Sequence, residues 1–135
     1  MKFKSSFALA AGLGLFFTSV PIAAHHSFAA QYDRSKPVTL AGPVTKVEWI
    51  NPHARIHMDV KDESGKLVNW EIELGAPAML MRRGWTRTSL KPGDSVTVNG
   101  FLAKDGSSLA NAQTVSLSDG RKVFAGSSAD SDATR

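Results

Sequence analysis

Residues 54–84, ARIHMDVKDESGKLVNWEIELGAPAMLMRRG, change their hydrophobic period once, and that change decides the fold. Ala54, Ile56, Met58 and Val60 fall on one face of an extended chain, with Arg55, His57, Asp59 and Lys61 on the other. Such alternation marks a half-buried strand of an antiparallel sheet. Asp62-Glu63-Ser64-Gly65 supplies turn chemistry, after which Val68, Trp70, Ile72 and Leu74 alternate with Asn69, Glu71 and Glu73. The two runs predict a hairpin. Aligning their apolar faces sets His57 opposite Glu71 and Arg55 opposite Glu73, as exposed cross-strand pairs. Past Leu74 the period lengthens. Pro77 suits a first helical turn, Arg82 and Arg83 a last one, and Gly84 a C-terminal stop. A short helix is expected over residues 77–83, with Trp85 packed against it and Met79, Leu80 and Met81 as core filling.

Upstream, Val38 and Leu40 share one phase and Val47 and Trp49 the other, with Gly42-Pro43 between them. A phase flip at a glycine reads as a bulge or bend that lets one long strand serve two faces of a barrel. Downstream, Leu90-Lys91-Pro92-Gly93-Asp94 is a turn, Val96 to Phe101 a strand and Lys104-Asp105-Gly106-Ser107 another turn. Leu109 to Leu117 is the closing strand, with Val115 and Leu117 facing in, and Arg121 to Phe124 adds a short last one. The order β-β-β-α-β-β over residues 37–124 is that of an OB-like antiparallel barrel with one short helix. An immunoglobulin-like sandwich, the rival, needs a seventh strand and no helix in mid-chain.

The chain of 135 residues is 42% hydrophobic and 21% charged, which fits one globular domain and excludes collagenous, coiled-coil and wholly disordered classes. Met1 to Ala24 carries Lys2 and Lys4 ahead of an apolar run from Phe7 to Val20 and ends in small residues. That is the form of a secretory signal peptide, and the run is too short for a membrane-spanning helix. Its removal leaves no integral span. It also takes two lysines from a net charge of +4, and with them most of the electrostatic case for a nucleic-acid partner. The expected location is periplasmic or secreted. Cysteine is absent, so disulfide scaffolds, thiol redox centres and zinc–thiolate sites are excluded and stability must come from the core. Residues 25–36 read as an N-terminal arm, and Ala125 to Arg135 as a disordered tail without large apolar residues.

The start His25-His26-Ser27-Phe28-Ala29-Ala30-Gln31-Tyr32-Asp33, the segment Trp49-Ile50-Asn51-Pro52-His53, and Gly84-Trp85 followed by Leu90-Lys91-Pro92-Gly93-Asp94 resemble a family of small exported proteobacterial proteins, a domain of unknown function. The resemblance spans nearly all of the chain after Ala24 and implies an exported, autonomous domain. It brings no substrate, reaction or site residue.

Four histidines, His25, His26, His53 and His57, are the neutral-pH chemistry of the chain. Cleavage after Ala24 would give His25 a free amine beside its imidazole, a nitrogen chelate suited to copper. Cleavage one residue earlier would place His26 third, a square-planar arrangement for copper(II) or nickel(II). The metal candidates are therefore His25 and His26, with His53 as a third ligand if a bend at Asn51-Pro52 or the folded-back arm brings them together. His53 and His57 lie about 13 Å apart along a strand and make no site between themselves.

A catalytic constellation is missing: there is no G-x-S-x-G elbow, phosphate-binding glycine loop, H-E-x-x-H helix or cysteine nucleophile. A nucleic-acid reader would interleave exposed aromatics with clustered Lys and Arg, whereas Trp49 and Trp70 fall on inward phases. The expectation is a non-enzymatic, exported small β-barrel binding module whose ligand or protein partner is unknown. The alternative is a periplasmic copper- or nickel-binding protein that uses its N-terminal histidines.

Overall fold

A computed structural model describes residues 28–124. Residues 1–27, which hold the expected signal peptide, His25 and His26, and residues 125–135, which hold the expected tail, lie outside the described residues. The elements run α1 (Phe28–Gln31), β1 (Tyr32–Glu48), β2 (Arg55–Lys61), β3 (Leu67–Glu73), α2 (Pro77–Arg82), β4 (Ser95–Ala103), β5 (Leu109–Leu117) and β6 (Lys122–Phe124). The sheet order is β3-β2-β1-β4-β5-β6, and an additional β3–β5 pairing closes the first five strands into a ring. This is the OB-like order expected from the pattern, and α2 in mid-chain excludes the immunoglobulin-like alternative. One correction concerns the closure. An antiparallel barrel was expected, yet β3 and β5 meet in parallel, Glu71 to Glu73 beside Leu109 to Asn111. The helix and the β4 strand between them supply the crossover that parallel neighbours need.

The hairpin register is the one that face alignment predicts, with His57 opposite Glu71, Arg55 opposite Glu73 and Ile56 opposite Ile72. β1 pairs with β4 over its first part and with β2 over its last, and thus belongs to both halves of the ring. The change of phase along β1 falls elsewhere than at Gly42-Pro43. Leu40 and Val44 are both buried, so the inward phase carries through Gly42, and the irregularity lies between Val44 and Lys46. Gly42 has a different job: a Cβ there would stand 1.9 Å from the backbone carbonyl oxygen of Asp59. Gly100, beside the β4–β5 irregularity, is tight in the same way against the Asn111 carbonyl.

The main core joins Leu40, Val44, Ile56, Met58, Ile72, Leu74, Val96, Val98 and Val115 from the strands to Leu80, Trp85 and Leu90. Trp49 and Trp70 pack against it partly buried. α2 has Pro in its first turn and Arg82 in its last, and Gly84 follows with φ of 94°. Only one of its three large apolar residues serves as expected. Leu80 is fully buried, whereas Met81 is 55% exposed, because a helix of this length turns one face inward.

A second, smaller core holds Phe28, Tyr32 and Ala103, with Phe101 and Leu109 packed against it. The Phe28 ring lies 5.5 Å from Tyr32 and edge-on to Phe101, and the Arg34 guanidinium sits 4.7 Å above its centroid. The Lys104 ammonium donates to the Ala29 carbonyl, and the Lys104 backbone N–H to that of Gln31. Residues 28–36, read from the sequence as part of an arm, thus form a helical turn and the first part of β1.

Candidate functional site

Strand pairing builds the site. The antiparallel ladder puts Arg55 beside Glu73 on one side, and the parallel closure puts Asn111 beside it on the other. Glu73 is the last residue of β3, on the phase that alternation assigns to solvent. It is nevertheless 5% exposed, because the ring closes over it and Tyr32 packs on it. A carboxylate so removed from water needs donors. The Tyr32 hydroxyl donates to Oε2 at 2.9 Å, and the fully buried Asn111 donates its amide N–H to Oε1 at 3.2 Å. Burial first, and then the Glu73 charge, push the Tyr32 phenol far above its ordinary range, so it stays a protonated donor.

His53 completes the group. It follows a bend at Asn51-Pro52, where the peptide is cis, and its neighbour Ala54 is tied to the end of β3. Ala54 donates its N–H to the Gly75 carbonyl at 3.0 Å and accepts from the Leu74 N–H at 2.8 Å. These bonds set the His53 Nδ1 3.4 Å from Glu73 Oε1, with the imidazole 26% exposed. Beside it, Arg55 pairs with Glu71 at 2.7 Å. The local formal charge is therefore −1 with His53 neutral, from two carboxylates and one guanidinium.

The register is the expected one, but the ion pairs are not the directly opposed His57–Glu71 and Arg55–Glu73. Glu71 takes Arg55, two rungs along the ladder rather than directly across, and Glu73 turns inward to Tyr32, Asn111 and His53. His57 reaches across to β1 instead, its Nε2 2.9 Å from Glu48 Oε2. Hydrogen bonds from His57 and then Lys46 pull the Glu48 carboxyl down to about 2. His53 and His57 thus engage separate carboxylates.

Of the three candidate metal ligands, His53 stands beside Glu73, while His25 and His26 lie outside the described residues. Among the described residues, no group of three His, Asp or Glu side chains is arranged to hold a metal ion. Sequence reasoning passed over Tyr32, Glu73 and Asn111 as site residues. The available signal was Asn111, a lone amide in the apolar run Leu109-Ala110-Asn111-Ala112. No helix among the described residues is long and apolar enough to cross a membrane.

Searches among curated proteins and among solved structures find no match to the chain. A family model does match, over residues 14–112, from within the N-terminal apolar run to the middle of β5. The match covers well over half of the sequence, the three ring-closing residues of β5 included, and so the chain belongs to the family of unknown function DUF6152.

Proposed function

We propose that the chain is an exported, non-enzymatic OB-like binding module whose ligand is a divalent transition-metal ion, copper(II) by preference, taken up where the N-terminal segment joins the ring. The observation that carries this reading is the seating of that segment. Phe28 and Tyr32 are buried together, Tyr32 holds Glu73, and Glu73 faces His53. His26 is two residues from Phe28 and His25 three, so extended chain lets them range over about 7 and 10 Å from that anchor. A bound ion would then draw nitrogen from the arm and from His53, in a neighbourhood whose net charge favours a cation. Imidazole and amine nitrogens suit copper, which heads the divalent affinity order.

Export to the periplasm or the medium is part of the proposal. It rests on the leader Met1–Ala24 and on the resemblance of the His-His-Ser-Phe start to small exported proteins. Removing the leader would itself create the amine of the chelate, so the ion could bind tightly only after processing.

The test is intact-mass analysis of the purified protein, to fix its first residue, followed by titration with copper(II). The His25→Ala, His26→Ala double variant should lose most of the affinity and His53→Ala a smaller part, while His57→Ala should bind as the parent does. Equal binding by the parent and the double variant overturns the metal reading.

A further inference from the structure

We infer that the pocket between the α2–β4 connection and the β5–β6 turn binds a small organic carboxylate, its anionic head between Arg83 and Arg121 and its apolar body on Trp85, Leu90 and Leu117. The inference is independent of the metal reading. Asn111 and the Glu73 group belong to the start of β5, whereas Leu117 is the last residue of that strand.

The pocket encloses about 100 Å3, well below the roughly 300 Å3 at which clefts begin to take drug-sized ligands, so its occupant is compact. Backbone bonds hold both walls. On one, the Trp85 N–H donates to the Leu80 carbonyl at 3.0 Å, and the Thr86 N–H to Ser89 Oγ at 2.8 Å. On the other, the Leu117 N–H donates to the Arg121 carbonyl at 2.8 Å, and the Gly120 N–H to the Leu117 carbonyl at 3.0 Å. Walls fixed in advance lose little freedom when a ligand enters.

Charge and apolar surface together select the class of ligand. From Arg82 to Lys91 the chain carries three arginines, one lysine and no acidic residue, and Arg121 lines the same pocket from the opposite wall. Asp119 is a counter-charge at the rim. Its Oδ2 takes the Arg121 Nε at 2.6 Å, which steers the guanidinium and leaves the terminal nitrogens to donate to a second anion. Planar guanidinium forks match a carboxylate. The floor is of another kind: Trp85 and Leu90 are buried in the main core, and Leu117 packs against it. An inorganic anion would lose water on that floor and gain no donors there, whereas an organic acid buries its carbon skeleton on it.

The test is a titration of the 15N-labelled protein with sodium benzoate at constant ionic strength, followed in 1H–15N correlation spectra. The Trp85 indole N–H and the backbone N–H signals of Ser89 and Leu117 should shift saturably. Arg83→Ala and Arg121→Ala should each weaken binding about 10-fold or more, and Arg121→Lys should recover only part of its loss. Both side chains are exposed, so the rest of the spectrum should keep the pattern of the parent. Arg87→Ala removes a charge from the same run but away from the pocket lining, and should change the affinity less than about 2-fold. Acetate and inorganic phosphate, which lack the apolar body, should bind about 10-fold more weakly than benzoate. Absence of a saturable shift at Trp85 overturns the inference. So does a loss in Arg87→Ala equal to that in Arg121→Ala, or phosphate binding as tight as that of benzoate.

Discussion

The Tyr32 hydroxyl and the Glu73 carboxylate, 41 positions apart in the chain, meet at 2.9 Å in the interior and join the start of β1 to the end of β3. Tyr32→Phe keeps the ring in its small core and removes one donor from a buried charge. The expected cost is about 1–3 kcal/mol, read from urea denaturation, because a buried acceptor that loses its donor keeps its desolvation penalty. Stability equal to the parent would mean that water reaches the carboxylate.

Phe28→Ala should unseat the segment ahead of β1. The ring is almost wholly buried against Tyr32 and Phe101, so truncation should destabilise by roughly 3 kcal/mol. Limited proteolysis near Gln31 should become faster than in the parent, and unchanged cleavage would show that Phe28 does not anchor the segment.

Gly42→Ala should be among the most damaging single-methyl additions in the ring. Its Cβ would sit 1.9 Å from the Asp59 carbonyl oxygen, which is backbone and cannot swing aside. A loss of roughly 3 kcal/mol is expected, at the upper end for overpacking. Ala41→Ser, next door on an exposed position, should stay within about 0.5 kcal/mol. Thermal melts of the two variants give the comparison.

Glu48 predicts an acid limb. Its folded-state pKa lies below the ordinary 4.5, at about 2, chiefly through the bond from His57 and then that from Lys46. A depressed carboxyl contributes stability that is complete above the ordinary value and is lost as pH falls toward the folded one. The melting temperature of the parent should therefore fall between about pH 4.5 and 2 more steeply than that of Glu48→Gln. Parallel curves for the two proteins would show that the His57–Glu48 contact contributes nothing.

How far the sequence could be read depended on the range of the interactions. The β2–β3 register followed from local alternation, since Ile56 and Ile72 must both face the core. The helix followed from Pro77 and Gly84, and the bend before His53 from Asn51-Pro52. What stayed hidden was set by distant chain. Glu73 occupies an outward phase of its own strand, and it becomes interior only because β5 arrives beside it and Tyr32 lies over it. No pattern within β3 encodes that. The role of Gly42 was hidden for the same reason, as its constraint comes from the backbone of Asp59 on another strand. His53 was legible as a candidate by residue type. Its carboxylate partner was not.

The parallel closure also bears on how the chain reaches its folded state. One side of β5 is divided between β3, over residues 109–111, and β6, over 114–116, while its other side serves β4. Until β5 is in place, β3 and β4 both end in rows of unpaired N–H and C=O groups, and such open edges recruit strands from other molecules. Contacts between Glu73 and Asn111 span 38 positions, the kind of non-local pairing that slows folding. A chain emerging from its N-terminus can close the ring only once Leu109–Leu117 has appeared. Self-association is therefore a hazard of that interval, and a truncation before Leu109 would make the interval permanent.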